Sequence, residues 1–369
     1  MINLNRRRTL ALAVGGTALA TQLPAVLRAA ERQAALRYPL RLSANENPWG
    51  PGPAARLALA AAIDDSCRYP MESSARLLAA IAAKENLSAD NVAIGSGSAE
   101  LLNVLATGWC ARKRLVSAWP TFNQIHTMAA SVGADIVHVP VDAALRHDLP
   151  ALDAAVNGNT GIVYVCNPNN PTGTVVPAAA LRDFCKSIGE RALVVIDEAY
   201  LDFADPAATG SMVELVRSGA NVVVLRTFSK LHGLAGLRVG YALARPDLIK
   251  KIRGPHLAIP NGAGLAAALA SLGDQPFMQT TRETLLADRA RITSACQALA
   301  IECTPSQGNF LFMKTGLSLE EFRNRMRAER IEVGRPFEPL LDWCRVTVGT
   351  TAETTAFITA LQKIKGTRA

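Results

Sequence analysis

From residue 92 onward the chain alternates short, continuously apolar runs with longer amphipathic or alanine-rich segments. Residues 92–94, 114–117, 135–141, 161–166, 193–196, 222–225 and 239–243 read as strands. Most of these runs are apolar at successive positions rather than at every other one. That pattern predicts burial on both faces, hence an α/β architecture with a mainly parallel central sheet covered by helices. Beyond Pro276 the rhythm shifts. A long amphipathic helix (about 280–299) precedes an apolar run at 309–313, a helix at 318–329, short strands at 331–333 and 344–348, and a terminal helix. This predicts a smaller α+β unit. Upstream, the Asn, Pro and Gly residues of Ser43-Ala-Asn-Glu-Asn-Pro-Trp-Gly-Pro51 block regular structure and predict a shaped loop. The expected division is a leader at 1–30, an extended arm at 31–53, a large domain at 54–276 and a small domain at 277–369.

At 369 residues, 49% hydrophobic and 19% charged, the chain is globular rather than disordered and can bury two cores. Four of its eight net positive charges sit in Arg6, Arg7, Arg8 and Arg28, and no long Lys/Arg block follows. The remaining balance suits a small anionic ligand better than nucleic acid. Seven cysteines form no CxxC pair, so zinc-type spacing is absent and no metal site is expected. The N-terminus places Asn5-Arg-Arg-Arg-Thr-Leu10 before an apolar run ending at Ala20. That run is too short for a stable membrane span and has the layout of a signal peptide. The arginines resemble a twin-arginine export signal, with Thr9 where that pattern prefers phenylalanine. The expectation is an exported, periplasmic protein; a cytoplasmic enzyme with a disordered or helical arm is the alternative.

Five places concentrate chemistry. Thr227-Phe-Ser-Lys230 leaves the strand at 222–225 and enters a glycine-punctuated turn, with Arg238 eight residues on. A lysine at the end of a buried strand is placed for desolvation, which favours the neutral, nucleophilic amine; an isolated Ser-Lys pair would read as a solvated loop. Gly95-Ser-Gly-Ser-Ala-Glu100 joins a strand to a helix and offers backbone N–H groups to a phosphate. The plain alternative there is a helix start capped by Ser98. Asn167-Pro-Asn-Asn-Pro-Thr-Gly173 ends the strand at 161–166 in a turn far more constrained than chain reversal needs. Asp197 closes another apolar strand, with Tyr200 three residues later. A buried carboxylate there needs a cation: a protonated pyridine nitrogen, or an ordinary salt bridge at a strand end. Arg345, inside a C-terminal strand, needs an anion: a substrate carboxylate or a buried acid.

Taken in order, Asn167-Pro-Asn-Asn-Pro-Thr-Gly173, Asp197-Glu-Ala-Tyr200, Thr227-Phe-Ser-Lys230, Arg238 and Arg345 resemble the class I/II aminotransferases of pyridoxal-phosphate fold type I. Ala44-Asn-Glu-Asn-Pro48, Arg68-Tyr-Pro70, Gly95-Ser-Gly-Ser98, Pro120-Thr-Phe122 and Arg345-Val-Thr-Val-Gly-Thr350 are similar to the histidinol-phosphate aminotransferase branch. The resemblance covers about residues 40–350. It implies that Lys230 anchors pyridoxal 5'-phosphate covalently and shuttles a proton, and that Asp197 pairs with the ring nitrogen. Tyr200 and Asn170 would hold the phenolic oxygen, and Phe122 would stack on the ring. Ser98, Ala99, Thr227, Ser229 and Arg238 would hold the phosphate, with Tyr69 reaching it from the second subunit of a homodimer. Arg345 would clamp the substrate carboxylate, and Asn45, Trp49 and Arg335 would line the substrate site. The implied partners are an amino donor, of histidinol-phosphate or aromatic amino acid type, and a 2-oxo acid such as 2-oxoglutarate.

The departures fall on substrate contacts. Trp49 and Ile125 stand where relatives carry tyrosines, and Met71 replaces an acid after Tyr-Pro. Two other readings keep the fold: a decarboxylase of a phosphorylated amino acid, which would retain Lys230 and Asp197, and a non-catalytic binding protein.

Overall fold

The computed structural model describes residues 36, 38–254 and 257–366; the arginine-rich leader lies outside them. In chain order the strands are β1 (Leu40–Leu42), β2 (Val92–Gly95), β3 (Arg114–Trp119), β4 (Asp135–Pro140), β5 (Thr160–Cys166) and β6 (Leu193–Asp197). They continue with β7 (Val222–Thr227), β8 (Gly240–Leu243), β9 (Glu302–Cys303), β10 (Phe310–Lys314), β11 (Ile331–Val333) and β12 (Trp343–Thr347). Seven of them form one sheet in the order β2-β8-β7-β6-β5-β3-β4. The pairs from β7 to β4 are parallel, and β8 runs antiparallel to both neighbours. This is a mainly parallel sheet, as the apolar runs predict.

Alternate residues of the same strands enter two separate cores. Val163, Val165, Val194 and Ile196 pack on one face, while Ile162, Tyr164, Leu193 and Val195 pack on the other. Both faces are covered, so the period of two is invisible in the sequence.

A further core joins Phe310, Leu311, Phe322, Met326, Val346 and Phe357 to Leu40 and Leu42 of the arm. β1 pairs in parallel with β11, and β12-β10-β9 form an antiparallel sheet beside them. Tyr200 and Leu231 also enter this core. The residues just after Asp197 and Lys230 are therefore where the large sheet meets the C-terminal part. The helix Gln275–Ala298 begins five residues before the sequence reading puts it. Pro276 lies in its first turn, where a missing N–H costs nothing, so the proline starts the helix rather than breaking it. Among the described residues no helix is long and apolar enough to cross a membrane.

Candidate active site

Strands β5, β6 and β7 are parallel, with Cys166 opposite Asp197 and Asp197 opposite Leu225. Their carboxyl ends share one edge, and three chemically loaded segments leave it side by side: 167–173, 197–200 and 227–230. Crevices at the carboxyl ends of parallel strands are where such sheets bind ligands.

Lys230 projects from the third of these segments. Its Nζ donates to the backbone carbonyls of Asn45 (3.1 Å) and Ala44 (3.4 Å) in the arm and lies 5.4 Å from the centroid of the Tyr200 ring. Burial lowers its pKa to about 8, and the positive charge of Arg345 pushes the same way. A lysine at its usual 10.5 is almost wholly protonated at neutral pH, whereas this one offers a substantial neutral fraction. Capture of an aldehyde by the apoprotein should therefore accelerate about tenfold per pH unit below 8 and level off above it. Stopped-flow absorbance of pyridoxal phosphate mixed with apoprotein between pH 6 and 10 measures this.

Asp197 ends β6 and is 2% exposed. Its Oδ1 accepts from the Ala199 N–H (3.1 Å) and its Oδ2 from the Tyr164 hydroxyl (3.0 Å). Burial raises its pKa to about 6; the two hydrogen bonds and Lys230 act against that rise without cancelling it. No arginine or lysine forms an ion pair with it among the described residues, so the salt-bridged strand end is not what the structure contains. Tyr164 is absent from the sequence expectations because it reads as one more apolar residue of a buried strand. A fully buried tyrosine needs a hydroxyl partner, and that requirement was the available signal. The partner lies diagonally across the β5–β6 pair, two positions from Cys166, which faces Asp197.

Near Lys230, whose amine feels the charge of Arg238, the chain builds a cradle for an anion. The helix Ser98–Trp109 starts at Ser98, with Gly97 at its cap position (φ 85°) and no side chain capping it. Ser98 thus does not serve as the N-cap, and the first N–H groups of the helix are open to a ligand. A Cβ on Gly97 would collide with the Arg238 guanidinium, and one on Gly240 would collide with the Ser98 nitrogen. Both glycines are there for close approach. Arg238 adopts a left-handed backbone (φ 55°) and its Nη1 donates to the Ala235 carbonyl (2.9 Å), 3.5 Å from Ser229 Oγ. Thr227 Oγ1 donates to Ser229 Oγ (2.9 Å) and accepts from the Ser229 N–H (3.1 Å). Helix N–H groups, two hydroxyls and a guanidinium are the donor set a phosphate dianion requires.

A second cation closes the other side. Arg345, on β12, is 7% exposed; its Nη1 donates to Asn170 Oδ1 (2.6 Å) and its Nη2 to the Ser43 carbonyl (2.5 Å). Its Nε is buried with no partner among the described residues, and no carboxylate pairs with it. A buried guanidinium in this state is a receptor for an anion. Asn45 (φ 54°) is fully buried and ties the arm together. Its Nδ2 donates to the Tyr200 hydroxyl (3.0 Å), its Oδ1 accepts from Thr347 (3.1 Å), and its carbonyl receives Lys230. The Asn45 side chain therefore holds Tyr200 and Thr347 in place. Phe122 is partly buried against the sheet, and Trp49 against the C-terminal core. Arg335 Nη2 donates to Asn123 Oδ1 (3.0 Å). Tyr69 is not brought to this cleft: it is 89% exposed and lines a separate cavity with Ile259 and Asn261. Among the described residues no metal-ligating cluster forms.

The family described as "Aminotransferase class I and II" matches residues 38–361. A histidinol-phosphate aminotransferase of Moorella thermoacetica is 37% identical over 340 residues, 90% of this chain and 87% of that one. An aromatic amino acid aminotransferase of Rhodococcus jostii is 37% identical over 321 residues, covering 86% and 88%. The crystal structure of a histidinol-phosphate aminotransferase from Sinorhizobium meliloti, solved in complex with pyridoxal-5'-phosphate, superposes with a TM-score of 0.83. It is 30% identical, over 92% of this chain and 94% of that one. The chain belongs to the class I and II aminotransferases and has the fold of their type I pyridoxal-phosphate enzymes.

Proposed function

We propose that the protein moves an amino group between an amino donor, of histidinol-phosphate or aromatic amino acid type, and a 2-oxo acid such as 2-oxoglutarate, using pyridoxal 5'-phosphate. The observation that carries this reading is a lowered-pKa lysine flanked by a buried carboxylate, an uncapped helix N-terminus with its arginine, and a second arginine with an open Nε. The cofactor, when bound, supplies the electron-withdrawing ring that makes the substrate Cα–H acidic.

Each residue then has a task. The Ser98 and Ala99 N–H groups, Thr227, Ser229 and Arg238 hold the phosphate. Asp197, itself held by Tyr164, accepts the hydrogen of the ring nitrogen and keeps it protonated. Tyr200 and Asn170 orient the phenolic oxygen, and Phe122 covers one face of the ring. Lys230 is the nucleophile that fixes the cofactor and the base that takes the Cα proton and returns it. Arg345 binds the α-carboxylate, and Trp49 and Arg335 face the remainder of the substrate. The 89% exposed Tyr69, with Ile63 and Met71 exposed beside it, supports a homodimer in which it completes the site of the second copy. The leader at 1–30 is proposed to direct export through a twin-arginine route.

The test is single-turnover conversion of the loaded enzyme to its pyridoxamine form by histidinol phosphate, phenylalanine, tyrosine and glutamate. Conversion by none of them would end the aminotransferase reading. Arg345→Ala should lower kcat/KM for amino-acid donors about 100-fold, the loss of a desolvated charge-assisted pair. An unchanged value would remove Arg345 from the carboxylate clamp.

A further inference from the structure

The clamp arginine does not stand alone. Arg345 also lines a cavity of about 440 Å³ whose wall includes Arg323, Arg327, Arg335, Glu332 and Ser43. Arg335 and Arg345 lie against one ring, their Cζ atoms 4.4 and 5.1 Å from the Phe337 centroid. Arg323 and Arg327 come from the helix Leu319–Ala328, which sorts its residues into rows. Phe322 and Met326 enter the C-terminal core, and Glu321 pairs with Arg325 (2.6 Å). Arg323 and Arg327, again four apart, share the row that meets the cavity.

None of these four guanidiniums has a carboxylate within ion-pair distance among the described residues, although Arg226, Arg291 and Arg325 do elsewhere. Arg327 donates to Asn324 (3.1 Å), and Arg335 to the Pro336 carbonyl (3.0 Å) and to Asn123. These neutral acceptors satisfy N–H groups and leave the charge uncompensated. The single acid of the wall, Glu332, pairs with none of the four. One carboxylate needs one guanidinium, so a concavity with four unneutralised ones is built for more than one anionic group.

We infer that Arg323 and Arg327 are specificity-determining residues that extend the Arg345 clamp and favour donors or oxo acids bearing a second anionic group besides the α-carboxylate. The distal group is a carboxylate or a phosphate. The inference rests on the aminotransferase reading and goes past it, because it ranks substrates that the reading leaves equal.

The experiment measures kcat/KM of the holoenzyme for glutamate, O-phosphoserine and phenylalanine in wild type, in R323Q/R327Q, in R323K/R327K and in R325Q. In the glutamine double variant the preference for glutamate or O-phosphoserine over phenylalanine should fall about tenfold, through KM rather than kcat. The lysine variant should recover most of it, and R325Q should retain it. Whichever dianionic donor loses more identifies the distal group as carboxylate or phosphate. A preference unchanged in R323Q/R327Q, or a wild type that converts phenylalanine but neither dianionic donor, overturns the inference and leaves the aminotransferase reading standing. A wild type inert toward every donor overturns both.

Discussion

Lys230→Ala should lower the rate of amino transfer by at least about 10⁴-fold while leaving the fold intact. On the proposed mechanism two functions vanish with one side chain: the nucleophile that fixes the cofactor and the base that carries the Cα proton. No neighbour replaces it. Its Nζ contacts the carbonyls of Asn45 and Ala44 and lies over the Tyr200 ring, and none of these is a base at neutral pH. The Tyr200 hydroxyl is also held far from ionisation, its pKa raised by burial. Folding should survive because the lysine makes two weak backbone contacts and carries a desolvation cost that alanine lacks. Single-turnover kinetics and circular dichroism check the two halves; transamination within tenfold of wild type would remove Lys230 from the chemistry.

Asp197→Asn should separate activity from stability in opposite directions. Turnover should fall by about 10²–10⁴-fold, since an amide cannot hold the ring nitrogen in its protonated state. The apoprotein, by contrast, should become more stable at pH 8. The Asp197 carboxyl titrates near 6 when folded and near 3.8 when unfolded. The folded state therefore holds the proton more tightly, and stability falls as pH rises through that interval. Above it the wild type bears the full penalty, roughly 3 kcal/mol. Asparagine has the same shape and no charge, so the variant's advantage should be present above pH 6 and disappear near pH 4. Urea denaturation of both apoproteins at pH 4 and pH 8 measures it; equal stabilities at pH 8 would contradict the buried, unpaired state of Asp197. In the proposed mechanism the cofactor's ring nitrogen would be the cation that this carboxylate lacks, which would make the burial cost a recognition device rather than a defect.

What the sequence could and could not convey follows from the range of each interaction. The strands at 161–166, 193–196 and 222–225 were legible because continuous apolar runs have one good solution, a doubly covered parallel sheet. Lys230, Asp197 and Arg345 were legible because a charge inside or beside an apolar run is costly without a partner. Asn45 was legible as part of a shaped loop, but its bonds to Tyr200, Thr347 and Lys230 join positions 155, 302 and 185 residues apart, which no local pattern encodes. Tyr164 was hidden by its own hydrophobicity, and Arg323 and Arg327 by their ordinary setting on an amphipathic helix. What sets them apart is convergence on one cavity with Arg335 and Arg345, and only tertiary structure shows that.

The most direct test of the central claim is borohydride reduction of the cofactor-loaded protein followed by mass spectrometry of its peptides, with and without prior exposure to an amino donor. The account predicts that the reduced cofactor is fixed to the peptide containing Lys230, and that a competent donor added first abolishes this labelling by taking the cofactor off the lysine. Labelling at another lysine, or at Lys230 but insensitive to every donor, would contradict it.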